Sequence, residues 1–171
     1  MADNNIIGID SGAYDHLTQA VVDLVNDYPA LEQGDEIRFS ILDLLSGKAL
    51  FPSSAPVITQ ERISITDHVS QECQYAFSIV YRAAGMSEPR KINVKEWLED
   101  LGRWLEGQTI TVGETDYKLS EYPTLTDGRE FRRISRTSPA YLYTIQSNQS
   151  EDWTINMTVY YHNEFDRTFN A

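Results

Sequence analysis

Asn93-Val94-Lys95-Glu96-Trp97-Leu98-Glu99-Asp100-Leu101-Gly102-Arg103-Trp104-Leu105-Glu106-Gly107 is the stretch on which the fold turns. Val94, Trp97, Leu98, Leu101, Trp104 and Leu105 recur at the three- and four-residue spacing that puts side chains on one face of a helix. Lys95, Glu99, Asp100, Arg103 and Glu106 fall off that stripe. Asn93 is a good N-cap, with Glu96 three residues on as a capping-box partner. Gly107 stands where a helix end favours a left-handed residue. The spacing therefore predicts a helix over 94–106. Trp97, Leu98, Leu101, Trp104 and Leu105 are its core-packing residues, and a sheet is the simplest surface for them to cover.

The sequence on either side supplies that sheet. Downstream, Thr109–Val112 and Tyr117–Leu119 read as short strands around a turn at Gly113. Phe131–Thr137, Tyr141–Gln146 and Trp153–Tyr161 read as longer ones; in the last, Trp153, Ile155, Met157, Val159 and Tyr161 keep a strict two-residue period. Upstream, Cys73, Tyr75, Phe77, Ile79 and Tyr81 share one parity of a strand over Cys73–Arg82. Ala76 and Val80 on the other parity imply that both faces are at least partly covered. Ile37–Ile41 and Val57–Ile65 are two further strands. Leu17, Val21, Leu24, Val25 and Tyr28 define a first amphipathic helix over Tyr14–Tyr28, bounded by Pro29. Residues 1–13 read as a lead-in. The polar stretches 44–56 and 113–130 read as loops, because the first holds Ser46, Gly47, Pro52, Ser53, Ser54 and Pro56 and the second holds Pro123 and Asp127-Gly128. The expectation is one α+β domain over 1–171, with a mainly antiparallel or mixed sheet and two main amphipathic helices packed on one face.

Composition narrows the function. With 171 residues and 41% hydrophobic content the chain can build a core, so it is not a disordered acidic tail. One cysteine, Cys73, excludes an internal disulfide and a Cys-rich zinc site. No apolar run reaches the roughly 18 residues of a membrane helix. Met1–Asn5 carries no positive charge ahead of an apolar stretch, so no secretory leader is expected. The formal net charge of -12 argues against general nucleic-acid binding, which needs a surplus of Lys and Arg. That charge is uneven. Residues 1–80 hold 12 acidic and 3 basic residues, whereas 81–171 hold 14 acidic and 11 basic. Such a split suits two surfaces meeting different partners.

Most motifs with chemical promise have structural readings. Ile6-Ile7-Gly8-Ile9-Asp10-Ser11-Gly12 resembles the strand end on which actin-like kinases and RNase-H-like nucleases present a metal-binding aspartate. Those folds continue into a hairpin, whereas a helix follows here, so Asp10 or Ser11 is expected to help start that helix. His16, His68 and His162 lack ligand spacing for zinc. Cys73 sits mid-strand among apolar residues and reads as a buried thiol. Glu99-Asp100, Glu114 with Asp116, and Glu151-Asp152 read as solvated carboxylates rather than acid–base pairs. No P-loop and no G-x-G-x-x-G occurs. The chain is expected to be no enzyme and to use no cofactor and no metal.

The basic cluster Arg129, Arg132, Arg133 and Arg136 leaves three readings open: intramolecular ion pairs, a subunit or partner contact, and local nucleic-acid contact. On an extended strand Arg132 and Arg136 would share one face, and Arg129 and Arg133 the other.

One resemblance covers residues 14–162. The strand Phe77-Ser78-Ile79-Val80-Tyr81-Arg82, the helix Val94–Leu105 and the closing strand Trp153-Thr154-Ile155-Asn156-Met157-Thr158-Val159-Tyr160-Tyr161, after an N-terminal amphipathic helix, resemble the minor capsid or tail terminator proteins of long-tailed bacteriophages and prophages. That family is similar in fold to the tail terminator of phage lambda. The resemblance implies a virion protein at the head-proximal end of the tail, made in the bacterial cytoplasm. It implies a homo-hexameric ring that stops polymerisation of the major tail tube protein and docks the head connector or neck protein. DNA would pass through the lumen without specific binding, and no membrane is involved. The family fixes no contact residues by motif, so the arginine cluster and the loops 44–56 and 113–130 are the interface candidates on physical grounds. The acidic first 80 residues would face the lumen, where they repel phosphate. A neck or head-completion protein is the near alternative, and a soluble acidic inhibitor or DNA mimic is an alternative of another class.

Overall fold

In the computed structural model, two strands of 17 residues form the spine, β4 (His68–Ala84) and β9 (Ser150–Asp166). They pair antiparallel over their whole length, from His68 opposite Asp166 to Ala84 opposite Ser150. The described residues are 11–126 and 128–167, with side chains described from residue 16 onward. Odd-numbered residues of both strands point the same way, and these make the core. Val69, Phe77, Ile79, Ile155, Met157 and Val159 are fully buried there.

The remaining elements in chain order are α1 (Ser11–Asn26), β1 (Ile37–Phe39), β2 (Gly47–Pro52), β3 (Val57–Ile63), α2 (Glu88–Leu105), β5 (Ile110–Val112), β6 (Thr115–Tyr117), β7 (Arg129–Arg136) and β8 (Tyr141–Ile145). β2 and β3 share the outer edge of β4, both antiparallel to it, and β1 adds parallel to β2. β7 and β8 share the outer edge of β9, both antiparallel. β5 and β6 form a separate hairpin. The chain is thus an α+β fold with a largely antiparallel seven-stranded sheet.

Both helices lie on the odd-numbered face. Leu17, Val21, Leu24, Val25 and Tyr28 from the first helix meet Leu98, Leu101, Trp104 and Leu105 from the second in one core with Phe77, Ile79, Ile155 and Met157. At about 25 cal/mol per Å² of apolar surface, each such buried Leu, Ile or Phe contributes roughly 1.5–3 kcal/mol. Trp97 is half-buried. Its indole N–H donates to the Ala30 carbonyl at 3.1 Å, and its rings meet Tyr28 and Tyr81 edge-on at 5.1 and 5.4 Å. That contact ties the tail of α1 to α2 and the sheet.

Several expectations need correction. The second helix starts at Glu88, with Ser87 as N-cap and Pro89 in its first turn, so Asn93 and Glu96 are interior residues and not a capping box. Proline suits that first turn because its missing N–H would be unpaired there anyway. The helix end is as expected: Gly107 has φ +75, and its N–H and that of Gln108 donate back to Trp104 and Arg103. Residues 44–56 are not all loop, because β2 lies inside them with Ala49 and Leu50 fully buried. Residues 113–130 likewise contain β6 and the start of β7. The first helix takes in residues 11–13 of the expected lead-in. Asp10 lies outside the described residues. Glu99, expected off the stripe and solvated, is buried, as are Glu151 and Asp152.

Candidate functional site

The arginine cluster divides. A bulge between Phe131 and Arg133 inserts one residue into β7 and shifts its parity, so Arg132 and Arg136 do not share a face. After the bulge, Ile134 and Arg136 point to the helices. The Arg136 guanidinium donates to Glu99 Oε2 at 2.9 Å and to Glu106 Oε2 at 2.9 and 3.1 Å. Its stem crosses the helix where Gly102 leaves room for it. Arg136 is therefore an intramolecular residue. Arg133 turns to the other face and lies 4.0 Å over the Tyr160 ring, a cation–π contact. Arg132 is exposed and pairs with exposed Glu130 at 2.7 Å. Arg129, at the start of β7, is half-buried.

No helix lies against the even-numbered face of the sheet among the described residues. Its centre is polar and ordered. Arg82 Nε and Nη2 donate to the two Asp152 oxygens at 2.6 and 2.8 Å, a bidentate bridge between the two spine strands. Ser78 donates to Asn156 at 2.7 Å two same-face positions along, beyond Val80 and Thr154. Above these lies an open hollow of about 320 Å³, walled by Leu42, Phe51, Val80, Tyr141 and Tyr143. Every charged group at its floor already has its partner, so the hollow offers shape and apolar walls rather than a reactive group.

Farther along the same face His162 stands between two carboxylates. Nδ1 lies 2.9 Å from Glu72 and Nε2 lies 2.9 Å from Glu164. The Glu164 bond, followed by Glu72, holds the imidazole pKa above its ordinary value despite some desolvation, and His162 in turn holds Glu164 low. His68 sits 2.8 Å from Asp166 beside them. Among the described residues no group of three His, Cys, Asp or Glu side chains is arranged to hold a metal ion. Cys73 is buried and its thiol is pushed up by desolvation, away from the reactive thiolate.

The sheet edges are treated unequally. On β1, Asn26 Oδ1 accepts from Ile37 N–H at 2.8 Å and Asn26 Nδ2 donates to Ile37 C=O at 3.0 Å, closing that edge. On β7, the Ile134 N–H donates to Tyr122 Oη at 3.3 Å and the Arg136 N–H donates to Glu106 at 2.8 Å. β3 and β8 have no such cover among the described residues. All seven residues of β3 are exposed, Val57, Ile58 and Ile63 among them. Tyr143 is 66% and Ile145 56% exposed on β8. Unpaired apolar edges are rare in monomers because they template pairing with another chain.

Sequence patterns point to the arginines but not to these edges. Glu99, Glu106, Asn26 and Tyr122 each act on a residue at least 11 positions away. No local spacing announces such partners. No helix of the described residues is long and apolar enough to cross a membrane. No family model and no curated protein sequence matches the chain.

Proposed function

We propose that this chain is a structural virion protein, a tail terminator that assembles as a ring on the completed tail tube and forms the head-docking surface. It acts by contact and catalyses no reaction. The observation that carries this reading is the distribution of exposed apolar surface. The β3 and β8 edges and the apolar-walled hollow beside β8 are supported from the helix side and left uncovered among the described residues. Contiguous apolar surface of that kind marks interaction sites. The resemblance of the strand–helix–strand pattern to tail terminators supplies the identity of the assembly. With Arg136 engaged internally, Arg132 and Arg133 are the arginines assigned to subunit or tube contacts. Of the acidic residues among the first 80, those outside the β3 hairpin are assigned to the lumen, where like charge keeps the genome from sticking.

Tail assembly from the chain's own gene cluster tests this. Without the chain, tubes should grow past their normal length and fail to join heads. Normal-length, head-competent tails would overturn the proposal. Genes for a tube protein and a tape-measure protein beside this one are the expected neighbourhood.

A further inference from the structure

We propose that the β8 edge of one copy pairs antiparallel with the β3 edge of a second copy, so that the sheet continues from subunit to subunit. This rests on the ring reading above and specifies the contact that would build the ring.

Four observations lead there. First, the closed edges are β1 and β7, each capped by side chains from elsewhere in the chain, whereas β3 and β8 are bare among the described residues. Edge protection is selective, and what is left open is what assembly can use. Second, the two bare edges sit at diagonal corners. β3 pairs with β4 around residues 69–74, on one side of the spine. β8 pairs with β9 around residues 151–154, on the other side and at the far end. An edge at each corner makes a head-to-tail contact, which uses different surfaces on the two partners and closes into a ring when the rotation between them allows. Third, the strand directions match. β3 runs parallel to β9 and β8 antiparallel to it, so the second copy in the same orientation presents β3 antiparallel to β8.

Fourth, charge follows the register. The hairpin tip after β3 points toward the Asp166 end of the spine, where His68 pairs with Asp166. In the second copy that tip therefore runs from β8 toward β7 of the first. It carries Asp67 beyond Glu61 and Arg62, whose charges offset each other, and β7 presents exposed Arg132 and Arg133 beside Glu130, which leaves that strip net positive opposite Asp67. The bare strand itself, Tyr141-Leu142-Tyr143-Thr144-Ile145, has no charge to repel a partner.

Cysteine crosslinking between two separately purified variants reads the contact directly. One variant carries Tyr143→Cys; the other carries Val57→Cys, Gln60→Cys or Arg62→Cys in turn, to span the register on the even-numbered face, which Tyr143 shares. These positions are exposed, so folding should survive, and circular dichroism checks it. Native Cys73 is buried and stays as it is. Under mild oxidation, mixing the two kinds should give a disulfide-linked dimer for at least one β3 position, with neither variant alone doing so to a comparable extent. A chain carrying both cysteines should give a ladder ending at the closed ring. No mixed dimer from any of the three, at concentrations where sizing shows oligomers, would overturn the edge contact and leave the ring reading standing. No mixed dimer with a monomer at all concentrations and on assembled tails would overturn both. Thr144→Lys is a second arm: it should lower oligomer formation at least tenfold with the monomer's melting curve unchanged, and unchanged oligomers would count against the proposal.

Discussion

Arg136 and Glu99 are joined at 2.9 Å across the interface between the sheet and α2, and the second oxygen of Glu99 accepts the Ala140 backbone N–H at 2.7 Å. One carboxylate thus ties three elements, the helix, β7 and the turn into β8. Glu99 is buried, so removing its charge leaves a guanidinium short of one partner and a backbone N–H with none. Glu99→Ala should cost about 2–4 kcal/mol, as expected when a hydrogen-bonded buried pair loses one member. Glu106 still holds Arg136, which keeps the loss below that of an isolated buried charge. Urea unfolding midpoints measure it. Arg132→Ala, at an exposed pair, should stay within about 0.5 kcal/mol of wild type. Equal losses at the two positions would contradict this division of the arginine cluster.

The same helix makes a second, steric contact. A Cβ on Gly102 would stand 2.5 Å from Arg136 Cδ and 2.8 Å from Ile155 Cδ1. Arg136 can shift, but Ile155 is fully buried in the core. Gly102→Ala should therefore destabilise by about 1–3 kcal/mol, the usual cost of overpacking, less up to about 1 kcal/mol from the better helix former. Gly107→Ala meets open space yet requires φ +75, so its cost of about 1 kcal/mol is purely conformational. Melting curves with far-ultraviolet circular dichroism separate the two. A stabilised Gly102→Ala would mean that the helix has room to lift from the sheet.

These residues also show what is and is not legible in the sequence. The stripe Val94, Leu98, Leu101, Trp104, Leu105 is legible because helix period and burial coincide there. The helix start is not, because Asn93 resembles a cap, while Ser87-Glu88-Pro89, an equally good start, precedes a polar turn with no apolar period. β2 is hidden because Gly47 and Pro52, which read as turn residues, are its two ends, and only Ala49 and Leu50 between them are buried. The burial of Glu99 depends on Arg136, 37 residues away, and the split of the arginines depends on a bulge. Local period carries neither. The segment that holds the arginines is therefore visible from sequence, but the pairing of their faces is not.

His162 makes stability depend on pH. Its pKa is raised in the folded chain, chiefly by the Glu164 bond. A raised folded value means that the stabilisation is fully present below the unfolded imidazole pKa of about 6.5 and is lost as pH rises through the folded value. Glu164 has the opposite sign: its lowered pKa gives stabilisation present above its unfolded value and lost as pH falls through the folded one. The clamp should therefore be strongest in mildly acid solution. As pH rises above about 6.5, wild type should lose stability more steeply than His162→Gln, which has no imidazole to titrate. Glu72 and Glu164 face the ring from the two spine strands, with Ser70 at 3.3 Å and His68 beside Glu164. Urea midpoints of the two chains, taken pH by pH, isolate the one residue, since every other group is common to both. Parallel pH profiles would show that the clamp carries no net linkage.

Asn26 closes the β1 edge, and its removal separates edge capping from simple helix packing. Its amide both accepts from and donates to Ile37, while also donating to Val22 C=O at 2.9 Å. Asn26→Ala leaves the N–H and C=O of a buried residue without those partners, at a cost of about 1–3 kcal/mol. Asn26→Asp keeps the acceptor for Ile37 N–H but sets a carboxylate oxygen against Ile37 C=O, so it should not rescue. The alanine substitution also uncovers a third edge. At matched fraction folded the Asn26→Ala chain should associate at lower concentration than wild type, as light scattering can show, because an unpaired strand end invites a neighbour. An Asn26→Ala chain with the wild-type urea midpoint and unchanged association would mean that solvent replaces the amide at that edge. The closed and open edges of the sheet would then differ in appearance only.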